Sequence, residues 1–265
     1  MEKQLVVLKL GGSVITHKAQ NIKKINQKNL DRLCAEIAGL KKKNDFSLVV
    51  IYGVGSFGHI IAKKFRLNEG FKNKSQIKPI TDVHLDLLFL NIAVIKTLKK
   101  YGLNAMPLFP SSAWRLTNGE MKNCDLDVIK EFLKLELIPV LHGDLLMDAA
   151  SGFGILSGDQ IVYYLAKNLK ADRVIIGTDT DGIFDSDPKI NKNAKLIKEI
   201  NKNTAKNLKI EKSQAIDVTG GMRGKVSELL KLADHKIESR IINITKPGIL
   251  EKTLDGNKNF GTRIN

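Results

Sequence analysis

Only two cysteines occur in the 265 residues, Cys34 and Cys124, and they form no Cys-x-x-Cys pair. That excludes a disulfide framework and gives no zinc-ligand spacing, so a reducing, cytoplasmic setting is expected. Aromatic residues are also scarce. Ten Phe, four Tyr and one Trp do not interleave with the lysines into a base-stacking surface, which argues against nucleic-acid binding despite a net charge of +15. No apolar run approaches the roughly 18 residues of a membrane span, and Met1 leads into a strand pattern without a basic, leader-like segment, so no membrane association is expected. Internal repeats, low-complexity tracts and a linker between two composition regimes are missing as well.

What is present is length and positive charge. A chain of 265 residues suits one large α/β domain or two tightly joined halves with a sizeable core. The excess of 43 Lys and Arg over 28 Asp and Glu fits a lysine-rich composition or an acidic substrate, and its field favours capture of small polyanions.

The stretch Ile51-Tyr52-Gly53-Val54-Gly55-Ser56-Phe57-Gly58-His59 reads as an apolar strand entering a glycine turn that opens a helix. Glycines let backbone approach a ligand, and the N–H groups of the following helix suit an anion. A histidine after the last glycine adds a charge-assisted hydrogen bond to a phosphate. The Gly-x-Gly-x-x-Gly spacing also fits dinucleotide binding, but the acidic residue wanted about 20 positions on is replaced by the basic stretch Phe71 to Lys78, expected to be a loop. A purely structural turn with a surface histidine remains the plain alternative.

Gln4 to Leu10 is a second buried strand, broken by Gly11-Gly12-Ser13, another phosphate-type turn. Leu30, Leu33, Ile37 and Leu40 recur at helical spacing, and Ser47 to Tyr52 returns as strand. Strand, helix, strand makes a parallel unit, which places the Gly11 and Gly53 turns on one carboxyl edge. A long helix from about Thr81 to Tyr101 is apolar around most of its circumference, so one face is expected to meet core or a dimer partner, or to line a substrate pocket. Thr117-Asn118-Gly119 signals a hairpin.

Further on, His142-Gly143-Asp144 ends a buried strand, where Asp144 either caps a turn or holds lysine side chains. Ser157-Gly158-Asp159 precedes a helix, with Ser157 or Asp159 as its cap. Thr178-Asp179-Thr180-Asp181-Gly182 is an acidic turn open to capping, nucleotide contact or metal. Val218 to Lys225 nearly imitates a P-loop, but its first glycine is misplaced and Val226 stands where a magnesium-binding hydroxyl belongs.

Taken together, Lys9 to Ser13, the turn at 53–58, His142 to Asp144, Ser157 to Asp159, Thr178 to Gly182 and Asp217 to Met222 resemble the amino acid kinase family, in order and over nearly the whole chain. Within that family Gly55-Ser56-Phe57-Gly58-His59 is similar to the archaeal-type branch that phosphorylates isopentenyl phosphate. The resemblance implies an α/β fold with an open, largely parallel sheet sandwiched between helices. It implies a single domain over 1–265, with acceptor bound by the half at about 1–150 and ATP, with Mg2+, by the half at about 151–265. It also implies a homodimer. By motif position, Lys9, Gly11, Gly12 and Ser13 meet the nucleotide phosphates and the transferred group, and Lys18 is the transition-state cation. Gly53, Val54, Gly55 and His59 hold the acceptor phosphate, with Gly55 and Gly158 shared between the two substrates. Asp144 orients the lysines; Asp159, Asp179, Gly221 and Lys225 lie along the nucleotide; no residue is a metal ligand. An acceptor that is already a phosphate carries its own anionic nucleophile, so the missing carboxylate dyad is expected.

Val54 departs from the glycine or alanine usual in that branch. A β-branched residue disfavours positive φ and narrows the acceptor pocket, which keeps another phosphate or phosphonate acceptor, such as fosfomycin, as the alternative. A nucleotide-binding regulator without turnover is a more distant one.

Overall fold

The computed structural model describes residues 3–17, 22–188, 190–205 and 221–265. Strand β1 (Gln4–Leu10) alternates its side chains between two faces. Val6, Leu8 and Leu10 join one apolar cluster, Leu5 and Val7 the other. Strand β2 (Phe46–Tyr52) does the same beside it, in parallel register from Gln4 opposite Phe46 to Leu10 opposite Tyr52. Burial on both faces requires helices on both faces. Helices α2 (Gln27–Lys43) and α4 (Ile77–Lys100) cover the first, and α7 (Gly158–Asn168) and α9 (Gly221–Ala233) the second.

The resulting eight-stranded sheet runs in the order β12 (Glu199–Ile200), β14 (Thr262–Ile264), β13 (Glu238–Asn243), β9 (Arg173–Thr178), β1, β2, β6 (Ile138–His142), β3 (Ala105–Pro107). It is parallel except at the β13–β14 junction, where the pairing turns antiparallel. Thus the expected open, largely parallel sheet between helices is borne out. From β1 the chain moves to β2 on one side, whereas β9 flanks β1 on the other, so a crevice opens beyond their carboxyl ends.

Three local readings change. Residues 71–78 are not a loop throughout. A short 3-10 turn, Lys74–Gln76, runs straight into α4, because the Gln76 side chain is buried, accepts from Lys72 N and donates to the carbonyls of Phe65 and Gly70. Second, Asp144 does not end its strand segment at a turn alone. It starts β7 (Asp144–Asp148), which pairs with β8 (Gly152–Leu156) in a separate four-stranded sheet with the hairpin β4 (Leu116–Thr117) and β5 (Glu120–Met121). Third, Val54 carries no backbone strain. Its φ is −73°, and the positive φ of the turn, +52°, falls on Gly55. The Val54 side chain packs against Gly58, where an added Cβ would lie 2.5 Å from Val54 Cγ2.

Long helix α4 resolves its excess of apolar residues by splitting them. Val83, Leu87, Leu90, Val94 and Leu98 are buried, while Leu85, Leu88, Phe89 and Ile92 form an exposed stripe, with Phe89 59% exposed. Among the described residues no helix is long and apolar enough to cross a membrane.

Candidate active site

The two glycine turns meet at the carboxyl edge. Gly11 ends β1 and caps the four-residue helix α1 (Gly12–Ile15), and Gly53 N donates to Leu10 O across the junction at 2.9 Å. The backbones touch so closely that side chains are excluded. A Cβ on Gly12 would lie 2.5 Å from Gly55 N, one on Gly53 2.6 Å from Gly12 N, and one on Gly11 2.6 Å from Gly177 O. Three strand ends are thereby drawn together with backbone facing outward, a cradle suited to phosphate oxygens.

Strand periodicity places Lys9 on the same face as Leu5 and Val7, toward α7. The α7 N-terminus is fixed by a capping box: Ser157 Oγ accepts from Gln160 N, and Gln160 Oε1 accepts from Ser157 N. Gly158 then leaves room for Lys9 to lie across the helix start, since a Cβ there would stand 3.1 Å from Lys9 Cε. The ammonium of Lys9 donates to Asp159 Oδ1 at 2.6 Å, and that of Lys225, from α9, donates to Asp159 Oδ2 at 3.2 Å. All three side chains are largely buried. Burial by itself pushes the Asp159 carboxyl up, but the charges of Lys225 and Lys9 and their hydrogen bonds outweigh it and hold it below the usual carboxylate range.

Of the two acids expected near the lysines, Asp159 is the one that accepts from both Lys9 and Lys225. Asp144 lines the same cleft, but its oxygens accept from Ser111 N at 3.0 Å and Leu145 N at 2.8 Å and face His84 at 3.4 Å. The reason is topological. Asp144 opens the β7–β8 hairpin, packed against α4, whereas Asp159 sits in the first turn of the helix packed between β1 and α9.

One cleft of about 260 Å³ gathers Lys9, Gly11, Gly12, Ser13, Gly53, Val54, Gly55, His59, Asp144, Gly158, Asp159, Asp179 and Lys225. Ser13 Oγ donates to Asp179 Oδ1 at 3.1 Å, tying the first glycine turn to the acidic turn after β9. Asp181, in that same turn, is engaged elsewhere. Its hydrogen bond to Lys246 chiefly lowers its carboxyl pKa, with Asn243 adding to it. Gly221 begins α9; Lys18, with Asp217 to Gly220, lies outside the described residues. Among the described residues no group of three His, Cys, Asp or Glu side chains is placed to hold a metal ion.

Sequence reasoning missed the cleft's apolar end. Ala62 follows His59 by three residues on α3 (His59–Lys64), Val83 and Leu87 face it from α4, and Leu145 and Ile155 come from β7 and β8. These are ordinary core residues in pattern, and only the hairpin's fold-back turns them into a wall. Residues 182–184 and 186–188 line the other end.

The model of the amino acid kinase family matches residues 4–243. Isopentenyl phosphate kinase from Methanothermobacter thermautotrophicus is 35% identical, with 98% of each chain covered. Its counterpart from Methanocaldococcus jannaschii is 35% identical over 95% of each chain. A solved isopentenyl phosphate kinase structure superposes with a TM-score of 0.87 at 32% identity, covering 99% of this chain and all of that one.

Proposed function

Because this chain belongs to the amino acid kinase family, we propose that it transfers the γ-phosphoryl group of ATP to isopentenyl phosphate, yielding isopentenyl diphosphate and ADP. The observation that carries the reading is the sequence of environments along one cleft. A cationic, glycine-lined centre with Lys9 and Lys225 lies between an apolar end and the acidic turn, with His59 and Ala62 on one short helix beside the apolar wall. That arrangement suits an acceptor with an anionic head and a small hydrocarbon tail. An amino acid acceptor would need charged partners where Val83, Leu87 and Ile155 stand.

In this reading the half at 1–150 binds the acceptor and the half at 151–265 the nucleotide, within one domain. The acceptor phosphate lies against Gly53, Val54, Gly55 and His59. Gly11, Gly12 and Ser13 cradle the moving group, Gly158 stands between the substrates, and Asp179 and Gly221 flank ATP. Lys9, Lys225 and Lys18 offset the charge that spreads over the transferred oxygens, and Asp159 spaces the first two. The acceptor's own phosphate oxygen attacks the γ-phosphorus as the bond to the β-phosphate bridging oxygen breaks, so no residue needs to remove a proton. Mg2+ fits as a nucleotide-borne ion, since the donor set offers lysines and backbone amides rather than a carboxylate cage; it would neutralise phosphate charge.

The deciding experiment is an acceptor screen with ATP and Mg2+ over isopentenyl, dimethylallyl and geranyl phosphates, fosfomycin, glutamate and UMP. Isopentenyl phosphate is expected to give the highest kcat/KM. Preference for glutamate or UMP overturns the acceptor while leaving the fold. His59→Ala is expected to raise the acceptor KM by about tenfold or more, the scale of one charged hydrogen bond, with the ATP KM nearly unchanged. Equal acceptor constants would remove His59 from the phosphate site.

The assembly we propose is a cytoplasmic homodimer. Both cysteines are free thiols, which suits a reducing compartment. The stripe Leu85, Leu88, Phe89 and Ile92 recurs at i, i+3, i+4 and i+7, the pattern of a helix-to-helix seam. Phe89→Glu is expected to halve the mass seen by light scattering. A wild-type chain that is monomeric at micromolar concentration would refute the seam.

A further inference from the structure

Two histidines flank Asp144 and have opposite surroundings. His142, on β6, is buried against Tyr52 and Phe109, with ring centroids 5.3 and 5.8 Å away. Its Nδ1 meets Gly143 O at 2.9 Å, and Nε2 has no hydrogen-bond partner among the described residues. Burial holds that ring below the ordinary imidazole value, so it is neutral.

Among the described residues, His84, on α4, faces only acceptors. Its Nδ1 lies 3.0 Å from Ile80 O, and its Nε2 lies 3.1 Å from Leu145 O and 3.4 Å from Asp144 Oδ1. A neutral imidazole has one N–H, so either tautomer would press a nitrogen lone pair against an oxygen. Only the imidazolium donates on both sides. The ring keeps 35% of its side-chain surface in solvent, which lowers the cost of the charge. The charged groups around it are Asp144 from β7 and, on its own helix, Asp82 paired with Lys78 and Asp86 paired with Lys23.

The position matters because His84 lies between two lining elements. Val83 precedes it and Leu87 lies one turn on, both on the apolar wall, and the carbonyl it grips belongs to Leu145 of the facing wall. We propose that His84 is a positioning residue that acts as an imidazolium, clamping α4 to the Asp144–Leu145 segment and so setting the width of the apolar acceptor pocket. The inference rests on the acceptor reading above for what the pocket holds, but not for the protonation state.

The test has two arms on the full-length protein. In 15N-histidine NMR at neutral pH without substrate, with His84→Gln identifying the signal, both His84 ring nitrogens are expected to carry protons; a ring with one proton overturns the proposal. In kinetics, using whichever acceptor the wild type turns over best, His84→Leu is expected to raise the acceptor KM about tenfold, the scale of a charge-assisted hydrogen bond, with a smaller change in kcat and in the ATP KM. His84→Gln, which donates to Leu145 or Asp144 but carries no charge, should recover part of the loss. An unchanged acceptor KM, or an ATP KM that rises equally, overturns the clamp. If the wild type ignores isopentenyl phosphate altogether, the acceptor reading fails while the NMR arm still decides the imidazolium.

Discussion

Asp159→Asn is expected to lower turnover by about a hundredfold or more and to reduce thermal stability at the same time. Asparagine keeps the shape of the side chain but removes the charge that lets Lys9 and Lys225 converge from β1 and α9 on one buried point. Breaking a buried ion pair by removing one partner costs about 3–5 kcal/mol, because the remaining charge is left desolvated. In this cluster two ammonium groups are left, and each moves away from the other and from the transferred group. A change in electrostatic placement of that size is commonly worth two to three powers of ten in turnover. ATP should raise the melting temperature more in the variant than in the wild type, since its phosphates replace the missing negative charge. Turnover within about threefold of the wild type would show that Asp159 does not organise the lysines.

The same carboxylate predicts a pH dependence. Its folded-state pKa is lowered, chiefly by Lys225 and Lys9 working against burial, so the unfolded chain binds the proton more readily. The stability it contributes is thus complete above the ordinary carboxylate value of about 4 and disappears as the pH falls through the lowered folded value. Urea titrations should show the wild type losing its advantage over Asp159→Asn across that acidic interval.

Lys9→Met is the second large effect. Methionine fills nearly the same volume over Gly158, so the fold should stand, and Asp159 retains Lys225 as a partner. Lost is the cation at the junction of the glycine turns, where charge develops on the moving phosphoryl group. A fall in kcat of about a hundredfold or more is expected, with a modest change in the ATP KM. Lys9→Arg should not restore the rate. A longer, planar guanidinium does not reproduce the compact ammonium held against Asp159 at 2.6 Å. Because Lys9 and Asp159 act as one unit, the double variant is expected to be little slower than Lys9→Met alone. Near-normal turnover in Lys9→Met would assign the lysine to structure only.

Sequence alone determined strands β1, β2 and β6, helices α2 and α4 and the two glycine turns, because apolar periodicity and glycine placement are local physical requirements. Parallel pairing of β1 with β2 followed from the intervening helix, and it sufficed to place Gly11 and Gly53 on one edge. The family's motifs named nearly all of the polar residues that now line one cleft. Tertiary structure alone decided which acid serves the lysines. Asp144 and Asp159 both follow apolar strands and both precede a turn or helix, so nothing local distinguishes them. Packing of α7 between β1 and α9 gives the lysines to Asp159, while the β7–β8 hairpin carries Asp144 toward His84. The apolar wall was equally hidden, since Val83, Leu87, Leu145 and Ile155 look like any core residues until a hairpin folds against a helix. Val54 shows the same limit in the other direction. Its β-branch suggested strain, but backbone geometry over the whole junction assigns the positive φ to Gly55, where no side chain opposes it.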